Sequence, residues 1–204
     1  MKLLLTSAGF ENPSIAKKFL ELLNKPVSKI KVVFIPTAAR TLEEGYYAEE
    51  AKKEIIALGV KRGNIKTLNL NHLVDYTTVR DFDAIYMCGG NTFFLLKKVK
   101  ESGFDKILKE FLEEGKLYVG VSAGSIIVGP NIEGAGWGSE ADVNDIELKD
   151  LKGLNFTRVA IYPHYKEKLK QEIEKFKKRV SYPVITLTDQ QAVLIKDNTQ
   201  EIIN

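Results

Sequence analysis

KLYVGVSAGSIIVGP, residues 116–130, contains a serine between small residues, Gly120-Val121-Ser122-Ala123-Gly124, where an apolar run ends and a helix can begin. Leu117, Tyr118, Val119 and Val121 predict a strand, and Ile126, Ile127 and Val128 supply apolar packing beyond the turn. A serine on such a sharp strand-to-helix turn holds its hydroxyl clear of the backbone, and the first N–H groups of the helix can face an oxyanion beside it. G-x-S-x-G also arises by chance, so the strand before it and the packing after it decide the reading. They make Ser122 a candidate nucleophile.

Working outward, short β-type runs alternate with amphipathic stretches. Strands are predicted at Lys2–Leu5, Lys31–Ile35, Ile65–Leu70, Ala84–Cys88 and Leu117–Val121, with helices around Ser14–Asn24, Glu43–Leu58, Thr92–Lys100 and Phe104–Glu114. A glycine- and acid-rich stretch from Asn131 to about Asp150 has no clear period and is longer than an ordinary connection. Then come a strand at Arg158–Ile161, a charged helix at Lys166–Arg179 and closing strands near Val184–Leu187 and Ala192–Lys196. The alternation predicts an α/β fold, a mostly parallel sheet flanked by helices, formed by residues 1–204 as a single domain.

The chain has 204 residues, 44% of them hydrophobic, enough for a sizeable core. The net charge of +3 is spread over interleaved Lys/Arg and Asp/Glu, so neither a nucleic-acid footprint nor a nucleic-acid partner is expected. No apolar run has membrane length, and the start, MKLLL, reads as a strand and not a signal peptide. The single cysteine, Cys88, cannot form an internal disulfide, which suits a cytoplasmic location.

Ligands of open α/β sheets bind beyond the carboxyl ends of the strands. Four strand ends stand out: Ser7-Ala8-Gly9, Pro36-Thr37-Ala38, Gly89-Gly90-Asn91-Thr92 and Ser122. None makes a dinucleotide or Walker fingerprint, so no nucleotide cofactor is expected. A serine nucleophile needs a base, and only His72 and His164 exist. His72 has the simpler reading of a surface residue. His164, in Tyr162-Pro163-His164-Tyr165, follows a strand and is held by a proline. A carboxylate should orient the imidazole, and the loop between serine and histidine offers Glu133, Glu140, Asp142 and Asp145. If that loop supplies no acid, Asp189, after the strand at Val184–Leu187, is the first candidate elsewhere. Gly90 and Ala123 could present the oxyanion N–H groups.

VVFIPTA up to Ala38, CGGNTFFLL at Cys88–Leu96, GKLYVGVSAGS and YPHY at Tyr162–Tyr165 together resemble the peptidase E family of serine dipeptidases over nearly the whole chain. That family shares its fold with cyanophycinases and, more remotely, class I glutamine amidotransferases. The resemblance implies metal-independent removal of N-terminal aspartate from Asp-X dipeptides through an acyl-enzyme, with nucleophile, acid and base in the order Ser, Asp, His, and a homodimer. It assigns Ser122 as nucleophile, His164 as base, and Gly90 with Ala123 as oxyanion hole. Ungapped alignment backward from His164 puts Asp142 on the acid, across an insertion of about five residues, with Glu140 in reserve; forward alignment from Ser122 reaches Trp137, which cannot serve.

The family's aspartate-binding arginine has no counterpart in Lys166-Glu167-Lys168-Leu169-Lys170, and no arginine follows His164 before Arg179. Lysine supplies charge without the bidentate grip on a carboxylate. The expectation is a serine peptidase for short peptides, with Asp-X selectivity open. The rival readings are a serine esterase and a catalytically weak small-ligand binding protein on the same scaffold.

Overall fold

A computed structural model describes residues 1–197 and 199–204. Strands β1 (Lys2–Thr6), β2 (Val32–Ile35), β3 (Ile65–Thr67), β4 (Ala84–Met87) and β5 (Leu117–Val121) lie parallel in the order β3-β2-β4-β5-β1. Strands β8 (Ala192–Lys196) and β9 (Thr199–Ile203) extend the sheet antiparallel beyond β1. The strand at Arg158–Ile161 starts later, as β6 (Ala160–Tyr162), and pairs in parallel with β7 (Val184–Thr186) in a separate two-stranded sheet.

The parallel strands read as continuous apolar runs because both faces of the sheet are covered. Leu3, Leu5, Val33, Ile35, Ile85, Met87 and Tyr118 point to one face, where α3 (Thr92–Glu101) and α4 (Phe104–Glu113) bury Phe93, Leu96, Phe104 and Phe111. Leu4, Val32, Phe34, Tyr86 and Val119 point to the other, against α1 (Pro13–Leu23) and α2 (Leu42–Ala57). Asn12, Thr41 and Asn91 each cap a following helix through a side-chain oxygen, and Thr41 with Glu44 forms a reciprocal capping box. The charged helix expected over residues 166–179 is a single 3-10 turn, Glu167–Leu169, followed by α6 (Lys170–Arg179).

The carboxyl ends of β1, β4 and β5 lie side by side, which brings Ser7, Gly89-Gly90 and Ser122 to one sheet edge. The β6–β7 pair adds its own ends there. Leu187 N–H donates to Tyr162 O at 2.9 Å and Tyr165 N–H to Leu187 O at 2.9 Å, so the pairing continues past both strands and carries His164 and Asp189 to the same place.

Candidate active site

Ser122 stands between β5 and the short helix α5 (Ala123–Ile126) with φ 48° and ψ −109°, a conformation that costs a non-glycine residue about 1–3 kcal/mol. The surrounding contacts hold it there. Ser125, fully buried, donates its hydroxyl to Thr6 O and Gly120 O, both at 2.8 Å, and Tyr118 donates to Gly124 O at 2.7 Å. The two glycines of G-x-S-x-G serve close approach: a methyl on Gly120 would lie 2.6 Å from Gly124 O, and one on Gly124 would overlap Met87 O.

His164 Nε2 lies 2.9 Å from Ser122 Oγ, and His164 Nδ1 lies 2.6 Å from Asp189 Oδ1. With its proton on Nδ1, the imidazole donates to the carboxylate and turns an acceptor nitrogen to the serine hydroxyl. Ser7, fully buried, completes the cluster: its hydroxyl donates to Asp189 Oδ1 at 2.9 Å and accepts from the His164 N–H at 2.8 Å. His164, at φ 56°, is therefore fixed through backbone and ring together. His72 is exposed and lines neither cavity beside Ser122.

The loop acids are placed differently from the expectation. Asp142, expected against the imidazole, accepts instead from the Thr92 N–H at 2.9 Å at the start of α3. Burial pushes its carboxyl above the usual range, against the opposing effect of the Thr92 hydrogen bonds. It lines a cavity of about 180 Å³ beside Ser122 and His164 without a hydrogen bond to either. Glu140 pairs with Lys166 at 3.0 Å and Lys168 at 2.7 Å, and hydrogen bonds from these lysines hold its carboxyl at about 2. Asp145 grips Arg40, and Glu133 accepts from the Tyr182 hydroxyl. Trp137 donates its indole N–H to Glu172 O, a packing role.

The ring is touched by a carboxylate that follows the histidine in sequence, not one that precedes it. Asp189 is brought there because β6 and β7 run parallel and in register, Tyr162 opposite Thr186, so the residues just past each strand meet. Ser7 was visible as an unusual strand end, but nothing in its neighbours indicated a role toward His164.

Gly90 and Ala123 flank the serine, and neither N–H donates to an acceptor among the described residues. Gly90 has φ 127°, and a methyl there would overlap the Ala38 carbonyl. Gly90→Ala is therefore expected to cost about 2–4 kcal/mol, combining left-handed strain with a backbone clash. Urea unfolding against wild type measures it, and a loss under 1 kcal/mol would mean that the loop yields easily. Cys88 is buried, and burial pushes its thiol well above the usual range, so it is an inert packing residue. Among the described residues, no cluster of three His, Cys, Asp or Glu side chains is placed to hold a metal ion, and no helix is long and apolar enough to cross a membrane.

The chain is 35% identical over 180 residues to the uncharacterized peptidase Lin0382 of Listeria innocua, an alignment covering 84% of this chain and 82% of that protein. It is 30% identical over 135 residues to Peptidase E of Nostoc, covering 66% of this chain but about half, 52%, of that longer protein. The crystal structure of a candidate peptidase E from Listeria monocytogenes superposes with a TM-score of 0.81 at 30% identity, covering 98% of this chain and 96% of that one. A peptidase from an acI-B1 actinobacterium, at 18% identity and a TM-score of 0.72, shares the fold. The profile of Peptidase family S51 matches residues 3–203, almost the whole chain, and the chain belongs to that family as a serine-type peptidase.

Proposed function

We propose that this peptidase hydrolyses short peptides through an acyl-enzyme, with Ser122 as nucleophile, His164 as general base and acid, and Asp189 as the carboxylate that orients and charge-balances the imidazole. The observation that carries the reading is the unbroken series Ser122 Oγ, His164 Nε2, His164 Nδ1, Asp189 Oδ1, with successive contacts of 2.9 and 2.6 Å.

As Ser122 Oγ bonds to the scissile carbonyl carbon, its proton passes to His164 Nε2, and the imidazolium is stabilised by Asp189. The carbonyl oxygen gains the negative charge, facing the Gly90 and Ala123 N–H groups. Collapse breaks the C–N bond as His164 returns the proton to the leaving amine. Water then repeats the sequence on the ester and releases Ser122. The short-peptide preference is supported by the limited size of the two cavities beside the serine, about 410 and 180 Å³.

Aspartate selectivity has little support. Of the lysines in the segment after His164, Lys166 and Lys168 pair with Glu140 and Lys170 pairs with Glu167.

A fluorophosphonate probe tests the nucleophile. It is expected to label Ser122 alone, with Ser125, buried and donating to two carbonyls, unlabelled. Peptide mapping by mass spectrometry that finds Ser122 unmodified in folded protein would overturn the assignment.

A further inference from the structure

The larger cavity beside Ser122, about 410 Å³, is bordered by Glu11, Glu44, Glu50, Glu54 and Asp189, and no lysine or arginine lines it among the described residues. Most of this charge is occupied. Asp189 serves His164 and Ser7, Glu50 pairs with Lys53 at 2.6 Å, and Glu44 accepts the N–H groups of Arg40 and Thr41.

Glu54 differs. One of its carboxylate oxygens accepts from the Phe10 N–H at 3.2 Å, and the other has no partner among the described residues. Beside it stands the Tyr86 hydroxyl, fully buried and without any hydrogen-bond partner. Tyr86 Oη and the Glu54 carboxylate both approach Gly9, where a methyl would come 2.9 Å from Tyr86 Oη and 3.4 Å from Glu54 Oε2, the oxygen bonded to Phe10 N–H; this leaves Oε1 as the free acceptor of the same carboxylate. The tyrosine ring is held by stacking on Phe34 at 5.6 Å and an edge contact with Phe10 at 5.4 Å.

A buried hydroxyl without a partner is unfavourable, and so is a partly buried carboxylate with only one of its oxygens bonded. A ligand that brings N–H donors and positive charge satisfies both at once. We propose that this cavity is a subsite for a positively charged group of the substrate, an ammonium or guanidinium seated on Glu54 and Tyr86, so that the preferred substrates are short peptides carrying a cation next to the scissile bond.

The proposal rests on the peptidase reading above and names its substrate class. Burial raises the Glu54 carboxyl above its usual range, partly offset by the Phe10 hydrogen bond, and the Glu11 and Glu50 charges push it further the same way. A bound cation would relieve both. The same field repels a substrate aspartate, the reverse of what the family likeness implies.

The test is kcat/KM for Lys-Ala, Arg-Ala, Ala-Lys, norleucyl-alanine and Asp-Ala, each with free and acetylated amino terminus, on wild type, Glu54→Gln and Tyr86→Phe. At least one cationic group should favour hydrolysis by about tenfold or more over its neutral counterpart, the scale of one charge-assisted hydrogen bond. That ratio should fall towards one in Glu54→Gln and by about threefold in Tyr86→Phe. Loss on acetylation with lysine and norleucine equal identifies the α-ammonium as the occupant; a lysine advantage that survives acetylation identifies the side chain. A preference for Asp-Ala, no cation preference, or a ratio unmoved by either variant overturns the proposal.

Calorimetric binding of Lys-Ala to Ser122→Ala, with and without Glu54→Gln, reads the cavity apart from turnover. Glu54-dependent binding supports the subsite even where fluorophosphonate labelling fails and the peptidase mechanism falls. Labelled Ser122 with no such binding removes the subsite and leaves the mechanism.

Discussion

Ser122→Ala is expected to lower the turnover of short peptides by about 10⁶-fold while leaving the fold intact, because the parts of a serine triad act as a unit and removal of the nucleophile forfeits nearly all of the covalent route. Residual hydrolysis comes from the oxyanion donors and substrate positioning, which alone give about 10³–10⁴ over water. The variant isolates chemistry from stability. Alanine bears the φ of 48° much as serine does, since both carry a Cβ, and Ser125, not Ser122, is the side chain that ties the turn to Thr6 and Gly120. Steady-state assays with active-site titration and a thermal melt check both halves. More than about 1% of wild-type turnover in protein free of contamination would remove Ser122 from the nucleophile's role.

Most of the framework could be read from the chain because fully buried parallel strands leave the clearest trace a sequence can carry. Leu3–Leu5, Val32–Ile35 and Ala84–Met87 are unbroken apolar runs, and the matching observed strands differ from the expected bounds by a residue or two. Strand β9 escaped notice because Thr199-Gln200-Glu201 presents polar residues along an exposed edge, where burial imposes no pattern. The strand expected over Ile65–Leu70 ends at Thr67, with Lys66 and Thr67 exposed at the other edge.

The site was legible to the same degree and for the same reason. Ser122 and Gly90 lie at the ends of strongly patterned strands, and His164 closely follows one. Asp189 follows β7, a three-residue strand with no fully buried position, and sits in Thr188-Asp189-Gln190-Gln191, which reads as a solvated turn. Its partnership with His164 depends on the pairing of β6 with β7 outside the main sheet, a long-range fact without a local signal. Both the acid-rich loop and the family likeness point to acids between serine and histidine, whereas the acid in contact follows the histidine.

That difference makes the acid the sharpest test of the mechanism. Asp189→Asn is expected to reduce kcat by about 10⁴-fold with little change in KM, because an amide at this position stabilises the wrong imidazole tautomer and cannot balance the imidazolium charge. Asp142→Asn should cost less than about tenfold: its carboxylate accepts from the Thr92 N–H, and an asparagine oxygen can accept the same bond. Both variants should melt cooperatively, so circular dichroism separates folding from catalysis. The comparison is direct, since both carboxylates line the same cavity as His164 and only Asp189 is in hydrogen-bond contact with the ring. A large loss in Asp142→Asn together with a small one in Asp189→Asn would return the orienting role to the loop acid and require the loop to move toward His164 when substrate binds. A large loss in both would make them joint contributors, Asp189 through Nδ1 and Asp142 through the field of a buried charge beside the imidazolium. If Asp189→Asn alone is crippled, the orienting acid lies beyond the histidine in this chain, and the order of the triad is Ser122, His164, Asp189.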